Sequence, residues 1–223
     1  DVDLFLGKKN GEVDYYQNQG DAGLPVFSKQ DAHPLSSVDV SSNSVPALVD
    51  IDLDGDYDAF VGASDGTVSY FQNANGVFYE RTGNNNPLNS VNATSSVSPS
   101  FVDINGDGLV DAFVGYEKGV DFYQNMGTAN APLFVKRQGG DNPLNGAVFT
   151  SGACAPVFVD FDNDSDFDLF VGRNWTVDYY QNTGTATAPA FTKQTLLNNP
   201  LYDLDFDYRA HLTFADLNND GFK

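Results

Sequence analysis

The sequence is poor in cysteine, histidine and positive charge, and each shortage excludes a class of protein. Cys154 is the single cysteine among 223 residues, so an internal disulfide framework is excluded, and we expect it to be a small buried apolar residue. Lysine and arginine number 11 against 31 aspartates and glutamates. The resulting formal net charge of −20 argues against nucleic acid and anionic membrane surfaces as partners.

Long apolar runs and catalytic constellations are also missing. No apolar stretch is long enough to cross a membrane, so membrane insertion is not expected. The two histidines, His33 and His211, belong to no recognisable triad, which favours a protein that is not an enzyme. The chain opens on aspartate without a signal peptide, so we expect a mature or trimmed product, or a piece of something longer.

What the sequence does contain is an acidic stretch that recurs at near-equal intervals. The first full copy, residues 50–62, reads Asp-Ile-Asp-Leu-Asp-Gly-Asp-Tyr-Asp-Ala-Phe-Val-Gly. Further full copies begin at residues 103 and 160, a truncated copy occupies 216–223, and the second half of a copy opens the chain. Carboxylates this close repel one another unless a cation lies between them. Ca²⁺ fits best because it accepts many oxygen ligands in flexible geometry, whereas Mg²⁺ keeps several waters.

Each repeat also carries four short segments that are rich in β-branched or aromatic residues and bounded by Gly, Pro or Asn, which are strand signals. No segment shows a sustained helical period. Four strands in a unit of this length predict a propeller blade. The predicted fold class is therefore all-β: a β-propeller of four-stranded blades, with four blade equivalents per chain and one blade split between the termini. Adjacent aromatics such as Tyr15 and Tyr16 lie on opposite faces of a strand, so both faces of each sheet should be covered.

The repeat boundaries leave the closure of the propeller open. We place the repeats at about 1–45, 46–98, 99–155 and 156–211, with 212–223 completing the blade that begins at residue 1. Residues 1–223 then form a single propeller domain or a half-propeller. Three closures are compatible with these boundaries: the chain closes on itself as four blades, it pairs with a second copy in an eight-bladed ring, or it belongs to a longer propeller. Bulky aromatics between blades suit blades that are narrow wedges, which favours the eight-bladed ring, and so a homo-oligomer, over a ring of four.

The acidic loops follow the pattern D-x-[DN]-x-D-G-x-x-D, in which positions 1, 3, 5 and 9 offer side-chain oxygens, position 7 a backbone carbonyl, and position 6 a glycine for the turn. The first loop supplies Asp50, Asp52, Asp54, Asp58 and the Asp56 carbonyl; the second Asp103, Asn105, Asp107, Asp111 and the Leu109 carbonyl; the third Asp160, Asp162, Asp164, Asp168 and the Asp166 carbonyl; the fourth Asp216, Asn218, Asp220 and the Phe222 carbonyl.

Two loops depart from the pattern. Ser165 replaces glycine at position 6 of the third loop, where a side chain costs strain, although the carboxylate set is complete. The fourth loop lacks position 9, for which Asp3 aligns by sequence and Asp1 aligns if the termini are joined. The flanks are strand-like and position 12 has no glutamate, so an EF-hand is excluded.

These residues carry a family resemblance. The Phe-Val run before the second and third loops, the loop itself and the Phe-Val-Gly run after each complete loop resemble the FG-GAP, or VCBS-type, repeats of integrin α-subunit propellers and related bacterial and fungal proteins. The resemblance implies a propeller with calcium bound on one face, an extracellular, secreted or cell-surface location, and cell adhesion or ligand binding. Some relatives are lectins.

Three functions follow as hypotheses. The first is a calcium-stabilised, non-catalytic binding or adhesion module for a protein or carbohydrate ligand. Trp175, the only tryptophan, lies in a hairpin where Gly66 and Gly119 align, so it is a candidate for ligand stacking or for an interface. The second hypothesis is a purely structural assembly unit, and the third is a hydrolase domain.

Overall fold

The computed structural model describes residues 3–20, 24–149, 152–204 and 210–214. The chain divides into two compact units, Asp1–Pro99 and Ser100–Lys223. Regular structure in the described residues is almost entirely β, with three 3-10 turns at Gly83–Asn85, Gly139–Asp141 and Leu196–Asn198. The predicted all-β class is confirmed.

The first unit contains two antiparallel sheets whose strands follow one another in chain order. The three-stranded sheet consists of β1 (Leu4–Gly7), β2 (Val13–Asn18) and β3 (Phe27–Gln30). The four-stranded sheet consists of β4 (Val45–Val49), β5 (Asp58–Gly62), β6 (Val68–Ala74) and β7 (Val77–Arg81). One cluster that includes Val13, Leu35, Val61 and Phe71 joins the facing sides of these sheets.

The second unit repeats this architecture with two four-stranded sheets. One comprises β8 (Ser98–Val102), β9 (Asp111–Tyr116), β10 (Gly119–Asn125) and β11 (Phe134–Arg137). The other comprises β12 (Ala155–Val159), β13 (Asp168–Arg173), β14 (Thr176–Asn182) and β15 (Phe191–Gln194). Side chains from both sheets share a core in which the rings of Phe113 and Phe158 lie 4.4 Å apart. Each four-stranded sheet is a blade of the predicted propeller type.

Pairs of adjacent aromatics are buried on both faces, as predicted. Tyr179 and Tyr180 are 5% and 1% exposed although they point to opposite sides of β14. Cys154 is also buried as expected, and burial raises the pKa of its thiol to about 11, so it is an unreactive core residue.

The predicted split blade is only partly described. The β1–β3 sheet has three strands among the described residues, and residues 213 and 214 of its expected fourth strand lie outside any strand. Residue 215 and the rest of the terminal segment lie outside the described residues. Leu212 and Phe214 pack instead against the apolar cluster of the β12–β15 sheet.

An Asn-Pro-Leu turn, His-Pro-Leu in the first repeat, recurs after the last strand of each sheet, and its leucine is buried in the core in the first three repeats. Leu35 and Leu88 have no exposed surface, and Leu144 is 4% exposed. The Asn86 side chain explains the turn, since its Nδ2 donates to the Val68 carbonyl at 2.8 Å while its Oδ1 accepts from the Leu88 N–H at 2.9 Å.

The glycine of Phe-Val-Gly marks a close backbone crossing within each unit. A Cβ built on Gly115 would lie 2.1 Å from the Cys154 carbonyl oxygen and 2.6 Å from Pro156 Cδ. Gly7 and Gly172 meet the Ser44 and Ala210 carbonyl oxygens in the same way, at 2.0 Å from the Cβ position. Only glycine fits there, because the second strand of one sheet touches the chain that leads into the next repeat.

Candidate functional site

Each of the three complete acidic loops connects the first strand of a sheet to the second and is folded by its first aspartate. In the first loop, Asp50 Oδ1 accepts from the Asp54 N–H and Oδ2 from the Gly55 N–H, both at 3.1 Å. Asp103 and Asp160 accept from the equivalent amides of their loops. The same turn therefore forms in all three complete loops, and it gathers the following carboxylates on one side.

Two of the loops bring three carboxylates together. Asp50, Asp52 and Asp54 each offer an oxygen within 4.8 Å of the others, and Asp160, Asp162 and Asp164 do the same. Asp52 Oδ1 is buried and has no hydrogen-bond partner among the described residues. An orphaned buried carboxylate oxygen beside two like charges is unfavourable unless a cation satisfies it. The donor set is all oxygen, which fits Ca²⁺.

The loop backbone turns through the left-handed region at two positions. At position 6, Gly55, Gly108 and Ser165 have φ of +95°, +85° and +73°. The strain expected at Ser165 is therefore present. Position 4 is also left-handed, at Leu53 (φ +56°), Gly106 (φ +71°) and Asn163 (φ +64°), which the sequence pattern did not predict.

Replacing Ser165 by glycine is expected to raise the free energy of unfolding by about 1 kcal/mol, because glycine adopts this φ without steric cost. Ser165→Ala is the control: it removes the exposed hydroxyl and keeps the strained backbone, so its stability should match that of the wild type. Urea denaturation measures both. Equal stabilities of the glycine and alanine variants would show that the backbone is not strained.

Position 9 is built differently from the rest of the loop. Asp58, Asp111 and Asp168 open the second strands and are at most 1% exposed. Asp58 Oδ1 accepts from the Asn73 N–H at 2.6 Å and Oδ2 from the Tyr70 hydroxyl at 3.0 Å. These buried aspartates attach the end of each loop to the third strand of its sheet.

The third strand of each sheet therefore supplies residues that hydrogen-bond to the loop. The sequence predicted a strand there and did not predict these contacts. Gln72 Nε2 donates to Asp52 Oδ2 at 2.9 Å, and Gln181 Nε2 donates to Asp162 Oδ2 at 2.8 Å. Asn73 Nδ2 donates to the Tyr57 carbonyl at 3.0 Å, at position 8 of the loop. A Gln-Asn pair recurs at this place in the third strand of each four-stranded sheet, at 72–73, 124–125 and 181–182, and that recurrence was the available signal.

The loop pattern also did not predict that the apolar side chain at position 2 packs into the core. Ile51 and Ile104 are 1% and 3% exposed, and Phe161 makes an edge contact with Phe170 at 5.2 Å between ring centroids. Each loop is thus tied to the core immediately after its first aspartate.

Burial makes the position 9 carboxyls hard to ionise. Desolvation, with nearby loop aspartates adding to it, raises the pKa of Asp58 and of Asp168 to about 6. The same causes raise the pKa of Asp111 to about 7. A bound cation would reverse this penalty, because it favours the charged form.

Asp3 takes the place of a position 9 aspartate. Its Oδ2 accepts from the Tyr15 hydroxyl at 2.6 Å and its Oδ1 from the Asn18 N–H at 2.8 Å, which are the contacts that Asp58 makes in its own sheet. This supports Asp3 over Asp1 at that position. The other members of the fourth loop, namely Asp216, Asn218, Asp220 and Phe222, lie outside the described residues, as does Asp1.

Position 7, expected to offer a carbonyl, is occupied by Asp56, Leu109 and Asp166. The Asp56 side chain accepts from the Asn75 N–H at 2.8 Å, whereas Asp166 is 7% exposed and its Oδ1 is buried without a partner among the described residues. The metal-ligand roles of positions 1 to 9 stay predictions.

Trp175 is exposed at the tip of the β13–β14 hairpin, with 60% of its surface accessible and a left-handed φ of +60°. Gly66 matches it, with a φ of +88°, because Thr67 follows it opposite Ala63 as Thr176 follows Trp175 opposite Arg173. The alignment with Gly119 was wrong: Gly119 has the register of Thr176, since both pair with the last residue of the second strand. Lys118 corresponds to Trp175, because each directly precedes that paired residue. The Gly66 hairpin is one residue longer than the other two, so counting forward from the second strand gave the wrong match.

A small cleft of about 270 Å³ lies beside the second loop, within the second unit. Its lining includes Ile104, Asn105, Phe122, Gln124, Asp141 and Pro189. The volume is slightly below the usual range of small-molecule sites.

Among the described residues, no helix is both long and apolar enough to span a membrane.

Comparison with known proteins places the repeats in a family. No curated protein sequence matches the chain. A solved structure of an Agrocybe aegerita lectin, described as specifically recognising non-reducing terminal N-acetylglucosamine, matches with a TM-score of 0.44 and 13% identity, over 92% of this chain and 68% of the lectin. That similarity is too low to bear on the ligand.

The family model is more informative, because it matches the acidic loops themselves. The model described as FG-GAP-like repeat matches residues 50–114 and 103–171, which together cover more than half of the chain. The matched ranges begin at the first aspartates of the first and second loops, and they include all three complete loops. The chain therefore belongs to the FG-GAP-like repeat family.

Proposed function

We propose that the chain is a calcium-stabilised, non-catalytic binding module of extracellular proteins. The observation that carries the proposal is the repeated carboxylate triad with an orphaned buried oxygen at Asp52. Three carboxylate oxygens within 4.8 Å, in an oxygen-only site, suit a hard divalent cation. Asp50, Asp52 and Asp54 would hold Ca²⁺ in the first loop, and Asp160, Asp162 and Asp164 in the third. The bound ion supplies charge neutralisation that fixes the loop, not chemistry on a substrate.

Membership of the FG-GAP-like family supports the extracellular location and the binding role. Loops that a rigid scaffold and a bound ion hold in place are suited to present a ligand surface. Trp175 is the ligand contact that we propose, because its indole is exposed at a hairpin tip and aromatic faces stack on sugars and on protein partners. A glycan array, compared between wild type and Trp175→Ala, tests this contact. The eight-bladed homodimer stays a prediction that mass measurement in solution will check.

Direct calcium binding tests the metal sites. Calorimetric titration of Ca²⁺ into the wild type should show saturable binding. Asp54→Asn and Asp164→Asn should each remove or weaken one site at least tenfold, because the amide keeps the shape and loses the charge. Asp31→Asn removes an equal charge outside the loops, so its isotherm should match the wild type. Absence of binding, or an equal loss in the Asp31 variant, would rule out the sites.

A further inference from the structure

The second loop differs from the other two at one of its own candidate ligands and at one outer partner on the third strand. At position 3 it has Asn105 where the first and third loops have aspartate. On the third strand it has Phe122 where the other sheets have Tyr70 and Tyr179. Both changes fall on residues that contact or orient the carboxylates of the loop.

In the second loop, the contact between the third-strand glutamine and position 3 keeps its glutamine and loses its carboxylate acceptor. The Gln72 side-chain oxygen accepts from Arg81 Nε at 3.0 Å, and its amide N–H donates a hydrogen bond to Asp52 Oδ2 at 2.9 Å. Gln124 likewise accepts from Arg137 Nε at 2.9 Å, so it occupies the same place. Its amide nitrogen has no acceptor at position 3, because the Asn105 amide donates to Asp111 Oδ2 at 3.3 Å instead.

The position 9 contact is lost through one missing hydroxyl. Tyr70 stacks on Phe60 at 4.5 Å and Tyr179 on Phe170 at 4.5 Å, and each hydroxyl donates to the buried aspartate at 3.0 Å. Phe122 stacks on Phe113 at 4.7 Å in the same arrangement. Phe122 therefore supplies the ring without the hydroxyl, and Asp111 Oδ2 accepts from the Asn105 amide at 3.3 Å in place of a phenol.

From these differences we infer that the second loop is the weak calcium site of the chain and that Gln72, Gln181, Tyr70 and Tyr179 are positioning residues that make the other two loops tight. The inference rests on the proposed calcium binding. The second loop has one carboxylate fewer, and calcium affinity is tuned by the number of charged ligands. Outer partners of ligating carboxylates are typically worth about 10–100-fold in metal affinity. The first and third loops should fill first, and the second only at higher calcium.

Site-resolved titration tests the inference. The backbone amides of Gly55, Gly108 and Ser165 sit at position 6 of the three loops, so their NMR signals report each loop separately while Ca²⁺ is added. We expect the midpoint for Gly108 to lie at least about tenfold above the other two. Coincident midpoints, or a lower midpoint for Gly108, would overturn the inference.

Two reciprocal changes separate positioning from general stability. The double variant Asn105→Asp with Phe122→Tyr should bring the Gly108 midpoint down to that of Gly55 and leave Gly55 and Ser165 unmoved. Tyr70→Phe should raise the Gly55 midpoint alone, and it copies a ring that the chain already tolerates at Phe122. If the double variant does not fold, Tyr70→Phe decides the question.

The outcomes distinguish the two proposals. Signals that shift in all three loops but with midpoints insensitive to these variants would refute the positioning role and leave calcium binding intact. Signals that do not respond to calcium at all would refute calcium binding itself, and the inference with it.

Discussion

Chelating calcium is expected to lower the melting temperature by about 10 °C near pH 8 and by much less near pH 5. A cation that binds only the folded state stabilises it by about 3 kcal/mol per site at a hundredfold excess over its dissociation constant. Extracellular calcium modules bind in the range of about 10⁻⁴–10⁻³ M, so millimolar calcium should stabilise the fold measurably. Scanning calorimetry with calcium and with excess chelator measures the difference.

The pH dependence follows from the buried aspartates at position 9. The pKa values of Asp58 and Asp168 are raised to about 6 and that of Asp111 to about 7, above the unfolded value of about 3.9. The metal-free folded state therefore binds these protons more tightly than the unfolded state. The stability that this supplies is complete below about pH 4 and is lost as the pH rises through about 6 to 7. With calcium bound the ionised carboxylates are favoured, so calcium's contribution grows over the same range.

Two variants check the origin of this effect. Asp111→Asn keeps the acceptor for the Asn125 N–H, which donates to Asp111 at 2.7 Å, and cannot ionise. It should reduce the loss of metal-free stability between about pH 5 and pH 8, which we expect to total roughly 5 kcal/mol over the three aspartates. Asp31→Asn should leave the slope unchanged. A metal-free protein that gains stability across this range would contradict the raised pKa values.

Gly115→Ala is expected to cost about 3 kcal/mol of unfolding free energy, close to a 10 °C fall in melting temperature. The added methyl would meet the Cys154 carbonyl at 2.1 Å, and that carbonyl cannot move freely because the Cys154 N–H donates to the Tyr116 carbonyl at 3.1 Å. Relief requires the backbone of two sheets to separate.

Gly140→Ala is the matched control for this substitution. Nothing lies within 4 Å of a Cβ at Gly140, and its φ is not left-handed, so alanine should be neutral or slightly stabilising. Urea denaturation of both variants measures the difference. A Gly115 variant as stable as the Gly140 variant would mean that the crossing is loose.

Much of this architecture was predictable because it is repeated. The loop pattern constrains local turns, and the aspartate at position 1 folds each of them through its own neighbours, so the loops could be located from sequence alone. The strands were predictable because Gly, Pro and Asn bound them. The leucine of each Asn-Pro-Leu turn was predictable because an apolar side chain in a polar connection must be buried somewhere.

The contacts between the loop and the third strand were not predictable in the same way. Gln72 and Tyr70 lie about 20 and 12 residues from the aspartates they contact, and strand alternation assigns them only a face. The Gly119 alignment failed for a related reason: hairpins of different length shift the register, and sequence alone does not say which strand residue pairs.

The single tryptophan at the hairpin tip determines which optical signal can follow this protein. An indole that is already 60% exposed in the native state should change its emission little on unfolding. Intrinsic fluorescence excited at the red edge is then a poor melting probe, and circular dichroism of the sheets should replace it. Because Trp175 is the single tryptophan, a change in tryptophan emission when a ligand is added would report an event at the β13–β14 hairpin.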